Sequence, residues 1–104
     1  MKDYNRIANK IRKMGTFDDI HQCGSPTEHC PVNLYCQLSE PYIIGCCFYV
    51  AYSFGMWSID YTLDADITRR AKMIHISGIK TERGMYSKVK EVIETIRKHC
   101  GVTQ

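Results

Sequence analysis

The chain has 104 residues, of which 44% are hydrophobic and 24% are charged, with a net charge of +3. This composition predicts a single globular domain over residues 1–104 and excludes a disordered chain, because it supplies enough apolar residues for a core. The small net charge does not favour nucleic acid as the partner. The N-terminus lacks the apolar stretch of a secretory signal, and the most apolar run, residues 42–52, is too short to cross a bilayer. We therefore expect a cytoplasmic protein without a membrane partner.

Residues 1–22 are predicted to be helical. Asp3 can cap a first helix, in which apolar residues recur at helical spacing and form one stripe. The residues of this stripe are Tyr4, Ile7, Ala8, Ile11 and Met14. Thr16 followed by Asp19 resembles a capping box and predicts a second, short helix that ends near Gln22.

Residues 23–41 are predicted to form a loop rich in cysteine, histidine and proline. Pro31 can begin a short helical turn over residues 32–37, since proline fits the first position of a helix.

Residues 42–79 are predicted to form three strands. The first, from Tyr42, is apolar on both faces. The second alternates apolar and polar residues from Trp57 to Asp64, which is the pattern of a strand with one wet face. The third covers residues 71–79. Because the connections are short, the strands should pair antiparallel.

An amphipathic helix is predicted over residues 83–100, with one apolar stripe. The stripe consists of Met85, Val89, Val92, Ile93 and Ile96. The fold class expected from these elements is α+β: an N-terminal helix, a Cys/His-rich loop, an antiparallel sheet of about three strands and a C-terminal helix.

The Cys/His loop contains candidate metal ligands. Cys23, Cys30 and Cys36 are separated by six and five residues, and zinc prefers four such ligands in a tetrahedron. We favour His21 over His29 as the fourth ligand, because His29 is bonded directly to Cys30. The remaining cysteines compete for the same place, namely Cys46, Cys47 and Cys100. Packing as small buried residues and disulfide formation both remain open alternatives.

Two stretches resemble known families. The string CPVNLYC is similar to a Cys-Pro-x-x-x-x-Cys stretch of small phage and prophage proteins. The stretch KMIHISGIKTERGMYSKVKEVIETIRKHCGV resembles the acyl-CoA-binding half of a GNAT acetyltransferase, in which a strand leads through a glycine turn into a helix. This resemblance implies acetyl-CoA as a ligand near Ile79, Arg83, Gly84 and Ser87.

No set of residues predicts catalysis. His75 could act as a general base, but no Asp or Ser lies at a suggestive spacing, and we interpret it as structural. We expect a small non-enzymatic binding or inhibitor-type accessory protein of phage or mobile-element origin, which acts by protein–protein contact. Sheet edges also offer a route to a homodimer. The alternatives are a minimal GNAT-like acyl-CoA-binding protein or acetyltransferase, and a metal-stapled nucleic-acid-binding module.

The aromatic residues around the predicted sheet give a candidate contact surface where they are exposed, and core packing explains most of them equally well. These are Tyr42, Phe48, Tyr49, Tyr52, Phe54, Trp57 and Tyr61.

Overall fold

The computed structural model describes residues 2–39, 47–62 and 73–99, and these residues form an α+β fold. Their elements in chain order are α1 (Tyr4–Arg12), β1 (Phe17–Gln22), β2 (Val32–Leu38), β3 (Cys47–Ser53), β4 (Met56–Thr62), β5 (Met73–Ile79) and α2 (Glu82–His99). The described strands form one antiparallel sheet in sequence order, β1-β2-β3-β4-β5. The predicted fold class is confirmed, but the described residues contain five strands where about three were predicted.

Strand β1 replaces the predicted second helix, so the prediction that residues 1–22 are helical is wrong beyond the first helix. Thr16 does not cap a helix: its backbone oxygen accepts a hydrogen bond from the N–H of Ser39 at 3.1 Å, at the end of the β1–β2 ladder. A helix of six residues makes few internal hydrogen bonds and is marginal on its own. Pairing with a neighbouring strand therefore outweighs the local capping signal.

Strand β2 occupies the second half of the predicted loop, and the predicted helical turn over residues 32–37 is wrong. Buried and half-buried residues alternate along all of β2. The buried set is Val32, Leu34, Cys36 and Leu38. A period of two fits a strand with one face on the core, whereas a helical turn would bury residues three or four apart.

Strand β3 is central in the sheet, but only one of its faces is buried: Phe48 and Val50 point into the core, whereas Cys47, Tyr49 and Ala51 are half-buried on the other face. A meander of three strands would place it at an edge, but β1 and β2 precede it, so β3 lies at the centre of the sheet. Both of its backbone edges are paired, to β2 and to β4. Residues 42–46 of the predicted first strand lie outside the described residues.

The two-residue alternation of β4 is confirmed for Trp57 to Asp60. Trp57 and Ile59 are buried at 1% and 0% exposure, while Ser58 and Asp60 are half-exposed. Thr62 departs from the pattern, because it is 5% exposed. Leu63 and Asp64 lie outside the described residues.

The helices α1 and α2 cover the same face of the sheet. Asp3 caps α1 as predicted, accepting the N–H of Asn5 at 2.9 Å. Helix α1 packs on β1 and β2, whereas α2 packs on β4 and β5. Their apolar stripes enclose a core with the buried side chains of the sheet, among which Phe48 and Trp57 are the largest. Neither of these helices is long and apolar enough to cross a membrane.

Candidate binding surface on the uncovered sheet face

The second face of the sheet is not covered by any element in the described parts of the chain, and we call it the uncovered face. One residue from each described strand lines up across it, each directly opposite the next in the strand registers. This series, the cross-strand row, consists of His21, Tyr35, Tyr49, Asp60 and His75. The adjacent registers confirm its orientation, since Ile20 pairs with the buried Cys36 and therefore faces the core.

The row has an aromatic centre. The ring centroids of Tyr35 and Tyr49 are 5.3 Å apart at an interplanar angle of 58°, and those of His21 and Tyr35 are 5.2 Å apart at 41°. Tilted aromatic pairs at this spacing attract each other, so the rings hold one another in position across the strands. The centre of the row is thus a preformed aromatic surface.

Each end of the row is a histidine–aspartate pair. The Nδ1 atom of His21 lies 2.7 Å from Oδ2 of Asp19, and Nδ1 of His75 lies 2.5 Å from Oδ1 of Asp60. The four side chains are between 36% and 57% exposed, so both pairs lie on an open surface and not in a pocket. Such pairs provide oriented hydrogen-bonding groups to a molecule that binds to the uncovered face.

Partial burial raises the pKa of the titratable groups at the centre of the row. The hydroxyl of Tyr35 donates to Oε1 of Gln37 at 3.1 Å, and burial, with a smaller contribution from Cys47, raises the pKa of Tyr35 to about 12. Burial also raises the pKa of Tyr49 and of the Cys47 thiol, and the hydrogen bond with Tyr35 partly offsets the rise for Cys47. Near neutral pH the centre presents neutral hydroxyl and thiol groups, since even their ordinary pKa values of 10.0 and 9.0 lie above that pH.

The charges of the described strands are all negative. The strands β1 to β5 contain no Lys or Arg, and their acidic residues are Asp18, Asp19 and Asp60. The described basic residues lie on α1, α2 and the segments that flank them. These are Lys2, Arg6, Lys10, Arg12, Lys13, Lys80, Arg83, Lys88, Lys90, Arg97 and Lys98. The uncovered face is therefore acidic and aromatic, although the chain as a whole is weakly basic.

The structure does not bring the sequence-predicted metal ligands together. The Cys36 side chain is fully buried among the core residues, whereas His21 lies on the opposite face of the sheet. Burial raises the pKa of the Cys36 thiol, which opposes the thiolate form that a metal requires. Among the described residues, no three His, Cys, Asp or Glu side chains form a group that could hold a metal ion.

The loop between β1 and β2 is held by contacts that need no metal. The N–H of Cys30 donates to Oγ1 of Thr27 at 3.0 Å, and the N–H of Thr27 donates to the backbone oxygen of Cys30 at 3.1 Å. His29 stacks on Phe54 with ring centroids 4.9 Å apart, and its backbone oxygen accepts the N–H of Phe54 at 2.8 Å. The described cysteines, Cys23, Cys30, Cys36 and Cys47, are free thiols, while Cys46 and Cys100 lie outside the described residues.

The residues that carry the acetyltransferase resemblance lie where β5 passes into α2. Strand β5 ends at Ile79 as predicted, and Arg83, Gly84 and Ser87 lie in the first turns of α2. The N–H of Gly84, which a phosphate would need, already donates to Oγ1 of Thr81 at 3.0 Å. The carboxylate of Glu82 lies in the same first turn. An approaching phosphate would therefore meet an N–H that is already bonded and a carboxylate that Arg6 already pairs.

Sequence reasoning identified His21 and His75 but not the surface to which they belong. His75 lacked a suggestive partner because Asp60 is 15 residues away and reaches it through the β4–β5 register. Of the aromatic candidates, Tyr49 lies in the row, whereas Phe48 and Trp57 lie in the core. Of the other aromatic candidates in the described residues, Tyr52 and Tyr61 pack against the core, and Phe54 is 77% exposed at the β3–β4 turn. Tyr42 lies outside the described residues.

No protein-family model, no curated protein and no solved structure matches this chain.

Proposed function

We propose that this protein is a non-enzymatic accessory or inhibitor-type protein that binds a protein partner through the cross-strand row. The observation that carries the proposal is the row itself: aromatic and hydrogen-bonding side chains from each described strand, aligned on a face that α1 and α2 leave open. Tyrosine is enriched in protein interfaces, because its ring buries apolar area while its hydroxyl keeps a hydrogen-bonding group.

Charge favours a protein partner with a basic contact surface. Asp19 and Asp60 are the acidic groups of the uncovered face, and the described strands contribute no cation to it. Arginine or lysine side chains of a partner could pair with these carboxylates and stack on Tyr35 or Tyr49. Nucleic acid is the less favoured partner, because its phosphates require cations on the binding face.

We also propose that the protein acts in the cytoplasm. Free thiols persist in reducing compartments, and the described cysteines are all free. We further propose a phage or mobile-element origin, on the ground that CPVNLYC resembles a stretch of small phage and prophage proteins.

The test compares two variants that change charge equally on opposite sides of the molecule. Asp60→Lys reverses a charge in the row, and Glu91→Lys reverses a 63% exposed charge on α2. The wild type and each variant are used as bait in a lysate of the source cell. The protein that the wild type captures is purified, and its affinity for the wild type and for each variant is measured by calorimetric titration. Tyr49→Thr serves as an uncharged second variant of the row, and circular dichroism verifies that each variant is folded.

We expect Asp60→Lys and Tyr49→Thr to weaken binding at least about tenfold, which corresponds to about 1.4 kcal/mol. Glu91→Lys should leave the affinity unchanged. A partner that binds both row variants as tightly as the wild type would refute the proposal. So would tight, salt-sensitive binding of single-stranded RNA or DNA that depends on the helix lysines.

A further inference from the structure

The edges of the described sheet differ in how they are protected. Strand β1 forms one edge and contains adjacent carboxylates, Asp18 and Asp19, together with a register shift between Phe17 and Asp19. Charged side chains keep edge strands from pairing with other chains, and because both edge strands contain a bulge, it is in charge that the two edges differ. Strand β5 forms the other edge, and its sequence MIHISGI contains no Asp, Glu, Lys, Arg or Pro.

Strand β5 also exposes apolar side chains that an isolated chain leaves in water. Met73 is 43% exposed and Ile74 is 36% exposed, and they rank among the most exposed large hydrophobic residues in the described parts of the chain. The outer backbone edge of β5 has no strand partner there either. An unpaired, uncharged and apolar edge is a template for the addition of another strand.

The regular part of β5 is the part that exposes these residues. Gly78 has a φ of +76°, and β5 contains one extra residue where Trp57 pairs with Ile79 but Ile59 pairs with Ile76. The bulge interrupts the strand after Ile76, so an incoming strand would find a continuous ladder along Met73–Ile76.

We propose that β5 pairs antiparallel with β5 of a second copy of this chain, forming a symmetric dimer whose sheets are continuous. Self-pairing brings no like charges together, because β5 carries no acidic residue, lysine or arginine. It withdraws Met73 and Ile74 of both copies from water. The protected β1 edge opposes further addition, so assembly stops at two chains, as an isologous contact requires.

Pairing of this kind extends the binding surface. An antiparallel continuation of the sheet keeps the two-fold axis perpendicular to it, so the uncovered faces of both copies lie on the same side. The two cross-strand rows then meet at their His75 ends. The dimer is independent of the proposed partner and can be tested without it.

The test is sedimentation velocity on the purified full chain from low micromolar to submillimolar concentration. We expect a species of twice the 12.0 kDa chain mass that dissociates on dilution. Ile74→Lys places a charge on the exposed part of the β5 edge and should give a monomer, while Asp18→Lys at the β1 edge should leave the dimer intact. Met73→Lys is the second edge variant, and circular dichroism on each variant tests whether it is folded.

Amide hydrogen exchange gives an independent measurement of strand pairing. Within residues 73–76, the amides that point to the outer edge of β5 should exchange more slowly at high protein concentration than at low, and those of β1 should not change. The proposal is refuted if the wild type is monomeric throughout, if folded Ile74→Lys and Met73→Lys remain dimeric, or if Asp18→Lys dissociates the dimer. Loss of dimerisation alone, with partner binding retained, would leave the proposed function standing.

Discussion

Substitution of Cys36 separates core packing from metal binding. Its side chain is 0% exposed, opposite Ile20 on β1 and Phe48 on β3, both of which are core residues. In this environment a thiol behaves as a small apolar group. Serine has nearly the same shape, but it introduces a hydroxyl, whereas alanine removes the sulfur and introduces nothing polar.

Core packing predicts which of the two replacements, Cys36→Ser or Cys36→Ala, loses more stability, and by how much. A buried hydroxyl without a partner costs about 1–3 kcal/mol, so Cys36→Ser should be destabilised by about that amount. Cys36→Ala loses the burial of one atom and leaves a small cavity, which we estimate at about 1 kcal/mol. For a chain of this size each kcal/mol lowers the Tm by about 4–8 °C. Packing therefore predicts that serine is the more harmful replacement.

Urea denaturation of both variants, with and without chelator, is the assay. Cys30→Ser is the control, because this half-buried thiol makes a 3.7 Å contact with the backbone oxygen of Val32 that a hydroxyl can replace. A metal site would give a different result: serine and alanine at position 36 would be equally harmful, and zinc would be lost with the stability. That outcome, or a stable Cys36→Ser protein, would refute the reasoning.

The raised pKa of Cys36 adds a dependence on pH. Burial lifts the pKa of the folded-state thiol above its ordinary value of 9.0. The neutral thiol therefore contributes its full stability below pH 9.0, and this stability falls at higher pH because the unfolded chain ionises first. Cys36→Ala should show a smaller alkaline loss of stability than the wild type.

Three further predictions concern the helices and the β3–β4 turn. Arg6 donates two hydrogen bonds of 2.8 Å to the Glu82 carboxylate. These hydrogen bonds are the largest cause that lowers the pKa of Glu82 from its ordinary value of 4.5. The stability difference between wild type and Arg6→Met should therefore be present above pH 4.5 and vanish as the pH falls further, in acid denaturation curves. Phe54 has a φ of +50°, a left-handed conformation that asparagine adopts more readily than phenylalanine. Phe54→Asn should therefore raise the free energy of unfolding, measured in urea, by up to about 1 kcal/mol. A lower free energy of unfolding would show that the stacking of Phe54 on the β1–β2 loop dominates. Because Thr81 caps Gly84, millimolar acetyl-CoA should not raise the Tm, and a reproducible rise would favour the acyl-CoA-binding alternative.

The helices and the alternation of β4 could be predicted from the sequence, because their signals are local. Asp3 precedes the apolar stripe of α1 by one residue, and the stripe of α2 from Met85 to Ile96 needs only the 3.6-residue period of a helix. The order of buried and wetter residues from Trp57 to Asp60 likewise follows from the two-residue period of a strand.

Strands β1 and β2 required the tertiary structure, because their stability comes from each other. Local chemistry at Thr16 favours a helix start, and only the ladder that pairs Phe17–Gln22 with Val32–Leu38 overrides it. The same ladder places Cys36 in the core and His21 on the opposite face, which no spacing along the chain could indicate.

The cross-strand row depends on long-range pairing in the same way. His21 and His75 lie at opposite edges of the sheet, and they join one row only because each of the intervening registers sets one residue opposite the next. A shift of one residue in any register would turn a strand's contribution to the row towards the core. The sequence determines which side chains are available to the row. Strand pairing aligns them on one face, because hydrogen bonds between segments that are distant in the chain decide which residues become neighbours.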